Sequence, residues 1–199
     1  MKKVLIPTKL DNVAAEILQK NAYEVIQDND SDLMTLALNN PDTEAMIVRS
    51  EKITAEIIDA LPKLRCVVRA GAGYNTIDIN YARRKNVDVM NTPGANANAV
   101  AEEVFAMALA AYRHLVPADI STRAGAWEKK NYMGRELSGK TLGIVGLGNI
   151  GQLVAKRSTG FDMKLIAYDP IISSAKAEEI GVKLVDLETL FAEADVITL

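Results

Sequence analysis

The stretch KTLGIVGLGNIGQLVAKRS, residues 140–158, decides the fold of this chain. It joins a short apolar run to a helical pattern through glycines at 146, 148 and 151, which are spaced as GxGxxG. Gly146 permits a tight turn from strand to helix, Gly148 leaves room for a diphosphate against the backbone, and Gly151 lets the helix pack close to the sheet. The start of the helix offers free N–H groups and the positive end of its dipole to phosphates. The stretch therefore predicts a dinucleotide-binding strand–turn–helix unit.

An acidic residue follows this unit at a suitable distance. Asp169 ends the next apolar run, KLIAYDP, and lies 18 residues after Gly151, close to the separation of about 20 that is usual in dinucleotide-binding folds. A carboxylate at this point accepts hydrogen bonds from the adenosine ribose hydroxyls and repels a 2′-phosphate. The sequence therefore predicts NAD, rather than NADP, as the cofactor.

Apolar runs alternate with helical patterns on both sides of the glycine-rich stretch. Strands are predicted at residues 4–7, 23–26, 45–48, 66–69 and 87–90, and then at 141–145, 163–167, 182–184 and 194–198. This repetition predicts an α/β fold with parallel sheets and helices on both faces. In the doubly wound order, the strand at 194–198 lies beside the strand at 141–145. Its outer edge would be unpaired, so we expect residue 199 to fall inside a domain.

Helical patterns also predict three particular features. Thr54 is predicted to cap the N-terminus of a helix that runs through Ala60. Two long helices are predicted at 97–115 and 117–126. The first of these is Ala-rich and apolar over most of its circumference, so we expect it to be buried between two bodies.

Composition excludes several classes of partner. The net charge is −3, hydrophobic residues make up 49% and charged residues 25% of the chain, and Lys and Arg are scattered. These values are ordinary for a globular protein and predict neither nucleic-acid nor membrane binding. The N-terminus lacks the long apolar core of a signal peptide, which predicts a cytoplasmic location. The one histidine, His114, has no companion ligand, so no metal site is predicted.

The chain resembles the D-isomer-specific 2-hydroxyacid dehydrogenases, and within them the branch that oxidises phosphoglycerate. The resemblance lies in IVRSEKITAEIIDALPKLRCVVRAGAGYNTIDI (47–79), VMNTPGANANAVAEEVFAMALA (89–110), GAWEKKNYMGRELSGK (125–140) and YDPIIS (168–173). It implies hydride transfer between NAD and a small phosphorylated hydroxy acid. Three alternatives stay open: a glycerate or hydroxypyruvate enzyme of the same family, a non-catalytic NAD-sensing interaction protein, and a structural remnant that binds nothing.

The same resemblance implies two domains. Residues 1–93 are expected to form a flavodoxin-like substrate-binding domain that lacks its C-terminal return segment. Residues 94–199 are expected to form a Rossmann NAD-binding domain, truncated after its fourth strand. In relatives the long helix that begins near residue 97 supports a dimer, so we expect a homodimer or homotetramer.

Site residues carried over from the family fall into two groups. The substrate side is expected to use Arg49, Ser50, Arg69, Ala72 and Gly73, with Ala72 also on the nicotinamide side. Beyond the three glycines and Asp169, the cofactor side is expected to use Asn149, Ile150 and Pro170. Arg49 and Arg69 would favour a phosphorylated substrate, although an exposed charge is the plainer interpretation of either. The cations Lys129, Lys130 and Arg135 would either reach a neighbouring subunit's phosphate pocket or simply face solvent.

No catalytic residue is predicted in residues 1–199. The family uses an arginine for the carboxylate and carbonyl, and a histidine paired with a glutamate as acid and base. No position here matches these three residues, and His114 lies on the long-helix segment. We therefore expect residues 1–199 to be inactive by themselves.

Overall fold

The computed structural model describes residues 1–199, which divide into two compact units, Met1–Ala95 and Asn96–Leu199. The first unit contains a five-stranded sheet in the order β2-β1-β3-β4-β5, and every pairing is parallel. Its strands are β1 (Lys2–Ile6), β2 (Tyr23–Gln27), β3 (Thr43–Val48), β4 (Cys66–Arg69) and β5 (Asp88–Asn91). This is the flavodoxin-like order, and it confirms the predicted α/β class.

Four helices connect these strands and cover both faces of the sheet. They are α1 (Val13–Lys20), α2 (Leu33–Asn39), α3 (Ala55–Asp59) and α4 (Ile79–Arg84). Apolar residues of α2, α3 and α4 pack on the face that carries Leu5, Met46 and Val67. Helix α1 packs on the opposite face through Ala15, which contacts the cluster of Val4 and Ile6. Alternation along β1 therefore sends successive side chains into two separate cores.

Aspartates, rather than the predicted threonine, cap helices in this unit. The Asp32 side chain accepts a hydrogen bond from the Thr35 N–H, and Asp78 accepts one from the Tyr81 N–H. Thr54 has extended backbone angles before α3 but its hydroxyl makes no capping bond. The predicted capping bond at Thr54 is therefore wrong, although the helix begins where it was expected.

The second unit contains a four-stranded parallel sheet in the order β8-β7-β6-β9. Its strands are β6 (Thr141–Val145), β7 (Lys164–Tyr168), β8 (Lys183–Leu184) and β9 (Val196–Thr198). Its helices are α5 (Ala97–Tyr112), α6 (Leu115–Arg123), α7 (Asn149–Ser158), α8 (Ser174–Glu179) and α9 (Leu187–Glu193). Strand β9 pairs with β6, which confirms the predicted position of the fourth strand beside the first.

Helix α5 is buried on one side only. Ala101 and Phe105 lie in the core of the second unit, and the Phe105 ring stacks on Phe161 with centroids 5.1 Å apart. Met107 lies two residues after Phe105, on roughly the opposite side of the helix, and is 60% exposed. Within this chain one side of α5 is therefore buried and the other is exposed, and the expectation that the helix is buried between two bodies stays a prediction. Between α5 and α6, His114 adopts a left-handed conformation that separates the two helices. None of the helices has the length and apolarity needed to cross a membrane.

Candidate functional site

The glycine-rich turn joins β6 to α7 as the spacing predicts. Gly146 has φ +95°, a region in which a side chain would be strained, and its N–H donates to the Tyr168 carbonyl at 2.8 Å. A Cβ on Gly151 would collide with the Gly146 carbonyl oxygen. Gly146 therefore makes the turn, and Gly151 lets the helix lie against it.

Gly148 differs from the other two glycines because the protein itself leaves its surroundings empty. It is exposed, its backbone is extended (φ −72°, ψ −160°), and a Cβ there would meet no protein atom within 4 Å. The first backbone bond of α7 runs from the Gln152 N–H to the Gly148 carbonyl at 3.1 Å. The N–H groups from 148 to 151 are therefore without partners in the chain. This open cradle of amides, at the positive end of the helix, fits a diphosphate.

Asp169 lies at the end of β7 and is bound to the glycine-rich turn. Its carboxylate accepts hydrogen bonds from the N–H groups of Leu147 at 2.7 Å, Ile171 at 2.8 Å and Ile172 at 3.0 Å. These backbone donors, first those of Ile171 and Ile172, hold the pKa of Asp169 below its usual value. The side chain is therefore ionised near neutral pH and lies beside the turn, and Pro170 follows it at the surface.

Leu147, between the first two glycines, is held on both sides. Its N–H donates to Asp169, and its carbonyl accepts a hydrogen bond from Gln152 Nε2 at 2.8 Å. Its side chain is buried, at 2% exposure. Sequence reasoning missed Gln152, because the position after the last glycine carries no required residue type in the motif.

The residues expected on the substrate side gather at the carboxyl ends of β3 and β4. Val48 and Arg69 are register partners at the ends of these two strands, and Arg49 and Ser50 follow β3 at the surface. Arg69 Nε donates to the Arg49 carbonyl at 3.0 Å. A Cβ on Gly71 would collide with the Arg69 guanidinium, so that glycine lets the guanidinium fold over the loop.

The loop after β4 presents amides rather than carbonyls. The carbonyl of Gly71 accepts from the Thr92 N–H at 3.0 Å, and the carbonyl of Ala72 accepts from Asn91 Nδ2 at 2.7 Å. The N–H groups of Ala72 and Gly73 have no partner in the chain. Free amides beside a guanidinium suit a carboxylate or phosphate group.

The remaining predicted positions lie on the surface. Lys129, Lys130 and Arg135 are exposed, and Lys129 Nζ lies 5.4 Å from the centroid of the Trp127 ring. His114 is also exposed, at the start of α6. Apart from Ala72, the residues expected on the cofactor side thus lie in the second unit, and those expected on the substrate side lie in the first.

Known proteins share both the sequence and the fold. Residues 105–199 match the family described as D-isomer specific 2-hydroxyacid dehydrogenase, NAD binding domain. D-3-phosphoglycerate dehydrogenase of Archaeoglobus fulgidus is 44% identical over 98% of this chain and 37% of its own length. Hydroxypyruvate reductase of Thermotoga maritima is 45% identical over 99% of this chain and 64% of its own length. The chain therefore spans less than two thirds of either relative.

A solved structure extends the comparison to a cofactor-bound protein. The crystal structure of cofactor (NAD+)-bound 3-phosphoglycerate dehydrogenase from Entamoeba histolytica has a TM-score of 0.78 and 35% identity. The match covers 98% of this chain and 61% of that one. Together with the glycine turn, the free amides and the acidic residue beside them, these likenesses identify NAD as the cofactor. Residues 105–199 therefore match the NAD-binding domain of the D-isomer-specific 2-hydroxyacid dehydrogenases, and nearly the whole chain is similar to proteins of that family.

Proposed function

We propose that this chain is the substrate-binding and NAD-binding part of an enzyme that oxidises D-3-phosphoglycerate to 3-phosphohydroxypyruvate, as in serine biosynthesis. Residues 1–93 bind the hydroxy acid and residues 94–199 bind NAD. When bound, NAD accepts the hydride from C2 of the hydroxy acid. The observation that carries the proposal is the amide-presenting loop after β4, which lies beside Arg69.

On the cofactor side, we derive the proposed contacts from the backbone N–H groups that have no partner in the chain. The amides from Gly148 to Gly151, including those of Asn149 and Ile150, hold the diphosphate. The Asp169 carboxylate accepts from the adenosine ribose, with Pro170 shaping the turn beside it. Because Asp169 is already fixed by three backbone N–H groups, it needs no rearrangement to receive the sugar.

On the substrate side, each part of the hydroxy acid has a suitable partner. The free N–H groups of Ala72 and Gly73 receive the carboxylate, and Ala72 also borders the nicotinamide. Arg69 and Arg49, with the Ser50 hydroxyl, receive the phosphate. A guanidinium binds phosphate through two parallel hydrogen bonds, which supports a phosphorylated substrate over a plain one.

Calorimetric titration of the chain in saturating NAD tests this assignment. We expect 3-phosphoglycerate to bind more tightly than D-glycerate, and Arg69→Ala to weaken the phosphorylated ligand by about 1.5–3 kcal/mol while changing D-glycerate little. Arg65→Ala is the matched control, because Arg65 is exposed at the opposite end of β4. An equal loss of affinity for both ligands would contradict the proposed contact between Arg69 and the phosphate.

The named Thermotoga relative supports a second candidate, a glycerate or hydroxypyruvate enzyme. The same titration separates the two, since this candidate requires D-glycerate to bind at least as tightly as 3-phosphoglycerate. It also requires Arg69→Ala to affect both ligands alike.

We further propose that residues 1–199 bind their ligands without turnover. The only histidine, His114, is exposed at the start of α6 and no carboxylate is hydrogen-bonded to it, so it lacks the partner that would orient a proton carrier. The check is NADH formation from 3-phosphoglycerate, which we expect to be undetectable for these residues alone.

Helix α6 supports the proposed homodimer or homotetramer. It buries none of its residues, although Leu115, Val116 and Ile120 are more than half exposed. Apolar side chains gathered on one exposed helix are typical of a protein interface. A second copy of the chain is the proposed partner of this surface.

A further inference from the structure

Two side chains hold the two peptide groups of Leu147: Gln152 binds the peptide that links Leu147 to Gly148, and Asp169 binds the one that links Gly146 to Leu147. Gln152 Nε2 holds the Leu147 carbonyl at 2.8 Å, and the Asp169 carboxylate holds the Leu147 N–H at 2.7 Å. The buried Leu147 side chain anchors the same residue from a third direction. The residue between the first two glycines is therefore unable to turn freely, although its glycine neighbours are permissive.

Peptide planarity carries this constraint to the next residue. The chain has no cis peptide bond, so the Gly148 N–H is antiparallel to the Leu147 carbonyl. Because Gln152 holds that carbonyl on the helix side, the Gly148 N–H points away from the helix. It has no partner in the chain, and Gly148 borders open space.

We propose that Gln152 is a positioning residue for the cofactor, which turns the Gly148 N–H toward the diphosphate by holding the Leu147 carbonyl. The inference rests on the proposed diphosphate site at residues 148–151. Gln152 does not itself touch NAD in this scheme. It removes the alternative peptide orientation, in which a carbonyl oxygen would face the phosphates and repel them.

Gln152→Met distinguishes a positioning role of Gln152 from a general contribution to the stability of the fold. Methionine has the same unbranched length and a similar helix propensity, but it has no donor. Thr159→Val is the matched control, because the Thr159 hydroxyl also donates to a backbone carbonyl, that of Lys156 at 2.8 Å, at the other end of α7. Thermal unfolding of both variants reports any loss of fold.

The ligands are NAD, ADP-ribose and adenosine, and the readout is the dissociation constant by calorimetry or competition. We expect Gln152→Met to weaken NAD and ADP-ribose about two- to twelvefold, the value of one hydrogen bond, and to leave adenosine within about twofold. Thr159→Val should leave the dissociation constants of all three ligands unchanged. Unchanged affinity of Gln152→Met for NAD, or an equal loss for adenosine, would overturn the role of Gln152 while the site itself stands. Failure of the unaltered chain to bind NAD would overturn both.

Discussion

Gly148→Ala should weaken NAD binding without weakening the fold. The backbone of Gly148 is extended (φ −72°, ψ −160°), which alanine adopts without strain, and an added Cβ would meet no protein atom within 4 Å. Replacing glycine by alanine at such a position raises the free energy of unfolding by about 0.4–1 kcal/mol, because the unfolded chain loses freedom. The added methyl group occupies the space through which the diphosphate approaches the amides.

The cost to binding follows from overpacking. An extra methyl group in a filled contact costs about 1–3 kcal/mol, which corresponds to roughly 5- to 150-fold weaker NAD binding. Calorimetric titration of NAD measures this loss, and denaturant unfolding of the free protein measures stability. The two quantities should move in opposite directions for Gly148→Ala.

Gly146→Ala and Gly151→Ala are the matched comparisons. Alanine at 146 would be strained at φ +95°, at a cost of about 1–3 kcal/mol. Alanine at 151 would collide with the Gly146 carbonyl oxygen. Both variants should lose stability together with NAD affinity. If Gly148→Ala binds NAD as tightly as the unaltered chain, or if it is as unstable as the other two, the assignment of the open space at Gly148 to the diphosphate is wrong.

Three further predictions concern the cofactor's sugar, acid stability and assembly. Asp169→Ala should weaken the binding of NAD by about 1–3 kcal/mol and the binding of NADP by less, as measured by titration of both cofactors. The control is Asp186→Ala, which removes a similar carboxylate bond to the Thr189 N–H and should change neither affinity. Because backbone N–H groups lower the pKa of Asp169 in the folded chain, its carboxylate stabilises the fold above its unfolded pKa of about 3.9 and this stabilisation is lost as pH falls below that value. In denaturant unfolding between pH 7 and pH 3, the stability advantage over Asp169→Asn should therefore be constant above about pH 5 and shrink below about pH 4; a constant difference throughout would contradict it. Ile120→Asp should shift the chain to monomer in sedimentation, because a buried charge at an apolar interface is costly, and an unchanged mass would exclude α6 from the interface.

Periodicity and spacing predicted the elements of this fold well. Strands β4 and β6 begin and end where the apolar runs do, and the place of β9 beside β6 follows from the order of a doubly wound sheet. These features depend on local pattern and on the handedness of βαβ connections, both of which can be recognised in a sequence. The same local patterns could not show that Met107 is exposed, since exposure depends on which neighbours cover the helix.

Side-chain bonds to loops were the least predictable part of the site. The bond from Leu147 to Asp169 joins residues that lie 22 positions apart, and it exists because β6 and β7 are neighbours that end at the same edge. Thr54 has the residue type of a cap, but the local geometry gives its hydroxyl no capping bond. Residue type permits such contacts, and the tertiary placement of the backbone decides them.

The three glycines of the motif are conformationally unlike, and this bears on how the site works. The fold itself requires glycine at 146 and 151. A side chain at 146 would strain the backbone, and one at 151 would collide with the Gly146 carbonyl oxygen. Nothing in the protein requires glycine at 148, since its backbone angles are ordinary and no protein atom lies near an added Cβ. The fold does not require glycine at 148, and its amide is one of four that lack partners in the chain. We therefore infer that glycine at this position makes room for a ligand. N–H donors without partners at a helix N-terminus favour an anionic ligand, and the open space at Gly148 lets a diphosphate approach the backbone directly.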